Sequence, residues 1–238
     1  VIDLKHINSK EGYVYYLASP DNATQKYLYK TKLNGKGKNE LVSPEALKGN
    51  HDYSFSSNGK YASHTFSNHY TPRTKEFITV ANHKALSEAE SIVDNLKKLE
   101  EKATTEFFKI KTADHVEMDG WMVKPTNFDP NKKYPVVFYV YSEPAGATVS
   151  DAYSVGQNRL YKGDMAQDGY LYISLDNRGT PAPKGRAWRK SIYRKIGVLN
   201  INDQAMAAKE ILKWDFVDAE RVAVWGWSGG GSATLNLM

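Results

Sequence analysis

Gly226-Trp227-Ser228-Gly229-Gly230 sets a serine among glycines directly after an apolar run, Arg221 to Trp225. A serine hydroxyl is a poor nucleophile until a base takes its proton. It must also stand clear of the protein to reach a carbonyl carbon. A strand that turns sharply into a helix achieves this when small residues flank the serine. Gly226 and Gly230 leave room where strand and helix approach, and Ala233 to Met238 has the texture of a helix start. Gly229 can offer its backbone N–H to an oxyanion, and the positive end of the helix dipole favours the same charge. A bland glycine-rich turn would share the pattern, but the apolar strand before it and the helix after it favour the nucleophile. Gly229-Gly230-Gly231 is no phosphate loop, because the Gly-x-x-x-x-Gly-Lys-Ser/Thr frame is absent.

A nucleophile of this kind needs a base and an acid, which follow the serine in chain order in folds built on this turn. His6, His51, His64, His69, His83 and His115 all precede Ser228, as do Asp176 and Asp203. Asp176, in Asp-Asn-Arg-Gly at a strand end, is expected to fix a loop. The triad acid and histidine are therefore expected beyond Met238. The start, Val-Ile-Asp-Leu, has no initiator methionine and no leader, so an internal piece of a longer chain is expected. His64 and His69 belong to no recognisable ligand array. No metal and no cofactor are expected.

Two textures precede the serine. In the first hundred residues, short strands are expected over Gly12–Ala18, Lys26–Leu33, Tyr53–Phe55, Tyr61–Phe66 and Phe77–Val80, with turns at Asn34-Gly35 and Ser56–Lys60. Short strands at this spacing suggest an all-β sandwich or propeller. Ser87 to Lys102 is charged, and Ile92, Leu96 and Leu99 share one helical stripe. A short helix or an irregular connector fits there, with a boundary near Thr104. Beyond it, Phe107–Thr112 and Met118–Val123 are expected to pair, and Tyr134–Tyr141 to form a central strand. A helix is expected over Leu160–Gln167 and a strand over Gly169–Leu175. A second helix, Asn202–Trp214, would turn Ala205, Ala208, Ile211 and Leu212 inward. Strands alternating with helices imply a mostly parallel sheet covered on both sides.

Composition excludes rather than selects. The 238 residues are 41% hydrophobic and 25% charged, with net charge +5 and pI about 9.0. They suit one large or two small domains. Basic and acidic residues are interspersed, with no nucleic-acid motif. There is no cysteine, so disulfides and thiolate zinc sites are out. No run reaches the length of a membrane span.

The second half resembles the dipeptidyl-peptidase IV family, within the prolyl oligopeptidase superfamily of serine peptidases. The similar stretches are Tyr134-Pro-Val-Val-Phe-Tyr-Val-Tyr141, Ser142-Glu143-Pro144-Ala145-Gly146, Ser174-Leu-Asp-Asn-Arg-Gly-Thr-Pro-Ala-Pro183, Arg189-Lys-Ser-Ile-Tyr-Arg-Lys-Ile-Gly197, Asp203-Gln204 and Trp225-Gly-Trp-Ser-Gly-Gly-Gly231. Phe55-Ser-Ser-Asn-Gly-Lys-Tyr61 resembles a turn of that family's propeller blades. The resemblance implies the last blades of a β-propeller over residues 1–103. It implies the first part of an α/β-hydrolase domain, through the nucleophile turn, over residues 104–238. It implies a bacterial, exported enzyme that needs no cofactor, often dimerises, and removes N-terminal dipeptides ending in proline or alanine from peptides. By resemblance, Ser228 is the nucleophile, Tyr141 supplies a phenol to the oxyanion, and Gly229 supplies the N–H. Tyr141 also stands where a central strand ends, the usual edge for an active site in an open α/β sheet.

The sequence departs from the family in three places. Ser142-Glu143 stands where Gly-Gly or Ala-Gly is common, and Gly229 where a tyrosine often walls the proline pocket, which implies a looser pocket. The glutamate pair that grips the substrate's amino terminus has no match, since Glu88, Glu90, Glu100 and Glu101 lie in the charged connector. It is expected upstream of Val1. An esterase or endopeptidase would share the serine turn, and a non-catalytic binding protein could keep the same shape.

Overall fold

The computed structural model describes residues 2–87, 91–96 and 105–238. The chain divides into two compact units, Val1–Lys102 with Ser150–Ser154, and Ala103–Val149 with Val155–Met238. No helix among the described residues is long and apolar enough to cross a membrane.

The first unit holds two four-stranded sheets, each a meander in which neighbours in sequence are neighbours in space. One runs β1 (Asp3–Asn8), β2 (Tyr13–Ala18), β3 (Tyr27–Lys32) and β4 (Glu40–Leu41). The other runs β5 (Asn50–Phe55), β6 (Tyr61–Ser67), β7 (Thr74–Thr79) and β8 (Lys84–Ala85). Alternation decides which face is buried. Along β6, Ala62, His64 and Phe66 point inward while Tyr61, Ser63 and Thr65 do not. Tyr15, Leu17, Leu28, Tyr53, Ala62, Ile78 and Val80 form the shared core. The expected turns close as read: the Ser56 hydroxyl donates to the Tyr61 carbonyl and accepts its N–H, while Asn58 accepts the Lys60 N–H. Strand β7 begins three residues before the expected Phe77. The charged connector shows a helix, α1 (Ile92–Leu96), whose Ile92 packs against Leu47 and Phe66. Leu99 and the expected boundary at Thr104 lie outside the described residues.

The second unit is a five-stranded sheet with helices, mixed rather than mostly parallel as expected, because the hairpin of its first two strands enters it antiparallel. Its strands are β9 (Thr105–Lys111), β10 (Glu117–Val123), β11 (Tyr134–Tyr139), β12 (Leu171–Asp176) and β13 (Val217–Trp225), in the order β13-β11-β12-β10-β9. Strand β11 pairs parallel with both β12 and β13, and β10 pairs antiparallel with both β9 and β12. Every residue of β12 is buried, as expected of a strand covered on both faces. One face packs Met118, Val136, Phe138, Leu171, Ile173 and Leu175 against Ala207, Ile211 and Ala233 of the helices. The other packs Trp121, Val123, Val149, Ala166 and Tyr172.

Two helix expectations need correction. Leu160–Gln167 forms turns, not a helix. Its aspartates compete for the backbone: Asp164 accepts the N–H groups of Ala166 and Gln167, while Asp168 accepts the Asp164 N–H and the Tyr161 hydroxyl. Such local bonds replace a helical ladder. The later helix, α3 (Leu199–Ile211), starts earlier than expected, and its inner face is wider than expected. Ile211 is buried and Ala208 and Leu212 pack against the core as expected, but Asn200, Asp203, Gln204 and Ala207 are buried as well, and Ala205 is only partly covered. Hydrophobic spacing missed the polar part of the inner face, where side chains with fixed partners occupy the first turns.

Candidate active site

Strand β13 ends at Trp225, and α2 (Gly185–Lys190) and α3 are followed by a last helix, α4 (Gly229–Leu237). Ser228 lies between strand and helix at φ 57°, ψ −121°. A non-glycine residue held there costs on the order of 1–3 kcal/mol, and such strain persists only where the surroundings impose it. The imposing contacts are two glycines. A Cβ at Gly226 would collide with the Gly230 carbonyl and the Val140 oxygen. One at Gly230 would collide with the Val140 oxygen and come within 3.2 Å of the Tyr141 Cα. The start of α4 is thus pressed onto the end of β11. The turn is closed by Gly230 N–H to Trp227 O and Gly231 N–H to Ser228 O, both 2.9 Å. Ser228 is exposed. Neither its hydroxyl nor the Gly229 N–H has a hydrogen-bond partner among the described residues.

Tyr141 follows β11 on the same edge, half-buried, with Gly146 packed on its ring. The next residue, Ser142, is buried at φ 64° and is held by a polar network that sequence reasoning missed. Asn200 donates to the Ser142 hydroxyl at 3.0 Å and Asn177 to its carbonyl at 3.2 Å. Gln204 donates to the Asn177 side-chain oxygen and the Leu175 carbonyl. Asp203, fully buried, accepts the Arg178 backbone N–H and guanidinium at 3.0 and 2.6 Å. The strings Asp176-Asn177-Arg178 and Asp203-Gln204 carried the signal, since polar residues at a strand end and on the inward face of a helix must be paired. The structure therefore brings Ser228, Gly229 and Tyr141 to one edge of one unit. It adds Glu143, whose carboxyl group abuts Gly229.

Asp176 fixes a loop. Its carboxyl accepts the N–H groups of Thr148 and Val149 at 2.8 and 3.1 Å and the Thr148 hydroxyl. Burial pushes it up to about 6 against those donors. His115 sits in the hairpin turn between β9 and β10.

In the first unit, His6 stacks on Phe55, and His69 Nδ1 meets Asp151 at 2.7 Å. His51 and His64 form a buried chain, from Leu47 O through His51 and His64 to Glu76 and the Ile92 N–H. His83 approaches through Tyr53, whose hydroxyl lies 2.8 Å from its Nε2. Ligand atoms of His64, Glu76 and His83 lie within 4.8 Å of one another, close enough to hold a metal ion. Both His64 nitrogens are already engaged in the hydrogen-bonded chain. Glu76 and His83 were invisible as partners in the sequence because only strand pairing brings them to His64.

The profile of the Prolyl oligopeptidase family matches residues 161–238, and that of the Dipeptidyl peptidase IV (DPP IV) N-terminal region matches residues 1–73. A "probable dipeptidyl-aminopeptidase B" of Talaromyces marneffei is 32% identical over 227 residues, covering 94% of this chain and 25% of that protein. A "probable dipeptidyl peptidase 4" of Arthroderma benhamiae is 30% identical over 240 residues, covering 100% of this chain and 31% of that protein. The crystal structure of Porphyromonas gingivalis dipeptidyl peptidase 4 superposes with TM-score 0.80 at 32% identity, covering 98% of this chain and 32% of that one. The chain thus spans between a quarter and a third of the length of these relatives.

Proposed function

The chain belongs to the prolyl oligopeptidase–dipeptidyl peptidase IV superfamily, and from that membership we propose that it carries the nucleophile and oxyanion donors of a serine exopeptidase. The whole enzyme releases N-terminal dipeptides, Xaa-Pro or Xaa-Ala, from peptides. Residues 1–103 are the last part of its propeller, and their two four-stranded meanders have the form of propeller blades. Residues 104–238 are the first part of its α/β-hydrolase domain. The triad acid and histidine lie outside these 238 residues. Export and dimerisation are proposed from the family resemblance alone.

The observation that carries this reading is Ser228 at φ 57°, exposed between β13 and α4. The Ser228 oxygen attacks the scissile carbonyl as the base takes its proton. Negative charge then develops on the carbonyl oxygen. Gly229, first residue of α4, meets it with an N–H that no acceptor among the described residues holds, and the helix end adds favourable potential. The Tyr141 hydroxyl is the second donor. It costs little to align because Asn177 and Asn200 already fix Ser142 beside it. The amine leaves with the proton that the base took from Ser228, and water, giving its own proton to the same base, cleaves the acyl-serine. In the full-length protein a fluorophosphonate probe should label Ser228, and Ser228→Ala should remove the label while the fold survives. An adduct mapped by mass spectrometry to another residue would sink the assignment.

A further inference from the structure

Glu143 and Gly229 compete for one space. A Cβ built on Gly229 would fall on the Glu143 carboxyl group, against its carbon and both oxygens. Gly229 is not among the residues of positive φ, so its backbone alone would accept alanine. The carboxyl is what fills the place. It is partly exposed and has no hydrogen bond or ion-pair partner among the described residues. The glycine after Ser228 had suggested a loose pocket. The structure puts an acid there.

Position determines what that acid can do. The N–H and the Cβ direction of one residue leave the same α-carbon, so the carboxyl lies beside any oxygen that the Gly229 N–H holds. Resting on the proposed function, that oxygen belongs to the scissile carbonyl. The neighbouring side chain is then that of the dipeptide's second residue, and the amino terminus lies a residue further away. An unpaired carboxylate there opposes the charge growing on the carbonyl oxygen, the more so as water leaves. A cation on the second residue removes that opposition and pairs the acid. We propose that Glu143 is a specificity residue that admits lysine or arginine as the second residue and favours it over a neutral side chain of the same shape.

The test uses the full-length protein and coumarin amides of Gly-Lys, Gly-norleucine and Gly-Pro, with and without an acetyl cap. Wild type should favour lysine over norleucine in kcat/KM by on the order of 10- to 100-fold, the range of one charge-assisted hydrogen bond. Glu143→Gln should bring that ratio to within about threefold of unity, what remains being ordinary apolar discrimination. Glu143→Asp should keep part of it, and Gly229→Ala, by displacing the carboxyl, should lower it. A lysine-to-norleucine ratio that Glu143→Gln leaves unmoved overturns the proposal. So does an equal loss on every uncapped substrate, which would assign the carboxylate to the amino terminus. Probe labelling of Ser228 is read in parallel. An unlabelled wild type defeats the serine-peptidase reading, whereas a labelled enzyme with an unmoved ratio defeats only the role of Glu143.

Discussion

The buried chain of the first unit supports a prediction that can be worked from proton counting. Three gaps separate the Leu47 oxygen from the Glu76 carboxyl: Leu47 O to His51 at 2.8 Å, His51 to His64 at 2.9 Å, and His64 to Glu76 at 2.7 Å. Each gap needs one proton, and two neutral imidazoles supply only two. The third must sit on Glu76 or turn one of the two imidazoles into an imidazolium. Burial holds both His51 and His64 down to about 3 and pushes Glu76 up, so Glu76 is the protonated partner and donates to His64 Nδ1. Its other oxygen accepts the Ile92 N–H at 3.0 Å. Glu76→Gln supplies the same donor and the same acceptor without needing an extra proton. It should therefore stay within about 1 kcal/mol of wild type at pH 5. Glu76→Ala leaves His64 Nδ1 and the Ile92 N–H unpaired, at about 1–3 kcal/mol each. The sign with pH follows from linkage. A carboxyl whose folded value is raised contributes stability that is full below its unfolded value and lost as pH rises through the folded one. The Gln variant should gain on wild type by about 1.4 kcal/mol per pH unit from roughly pH 4.5 up to the folded value of Glu76. The two histidines act oppositely, with stability lost as pH falls below about 6.5, and this loss should steepen in the Gln variant. Urea denaturation from pH 5 to 9, read from amide exchange in β6 and β7, measures this. A Gln variant as costly as Ala at neutral pH, or a Gln–wild-type difference that does not change with pH, would refute the proton count.

Tyr141→Phe keeps the ring against Gly146 but removes the phenol, so the full-length enzyme should lose on the order of 100-fold in kcat with a much smaller change in KM; steady-state kinetics with an unchanged kcat would return Tyr141 to a packing role. Gly230→Ala drives a methyl into the Val140 carbonyl, and should cost about 1–3 kcal/mol in thermal or chemical unfolding as the start of α4 is forced off β11; a neutral outcome would mean that this contact is not tight.

The strand pattern was legible because one-sided burial imprints alternation, as in β6, and two-sided burial imprints an apolar run, as in β11 and β12. The serine turn was legible because two chains of backbone cannot approach as closely as β11 and α4 do unless Gly226 and Gly230 lack side chains, and that demand is written in residue type. Leu160–Gln167 misled because helical spacing of apolar residues says nothing of where Asp164 and Asp168 will spend their oxygens. The inner face of α3 misled for a related reason, since Asp203 and Gln204 are buried by partners far away in the chain. By itself, then, the sequence determined the alternation of elements and the place of Ser228 between a strand and a helix, because both depend largely on neighbours along the chain. Only the tertiary structure decided that Asn177 and Asn200 brace the loop after Tyr141, that His64 shares a proton with Glu76, and that the Glu143 carboxyl fills the space left by Gly229. Those pairings join residues that are distant in sequence, and polar contacts depend on direction and distance that no linear pattern encodes.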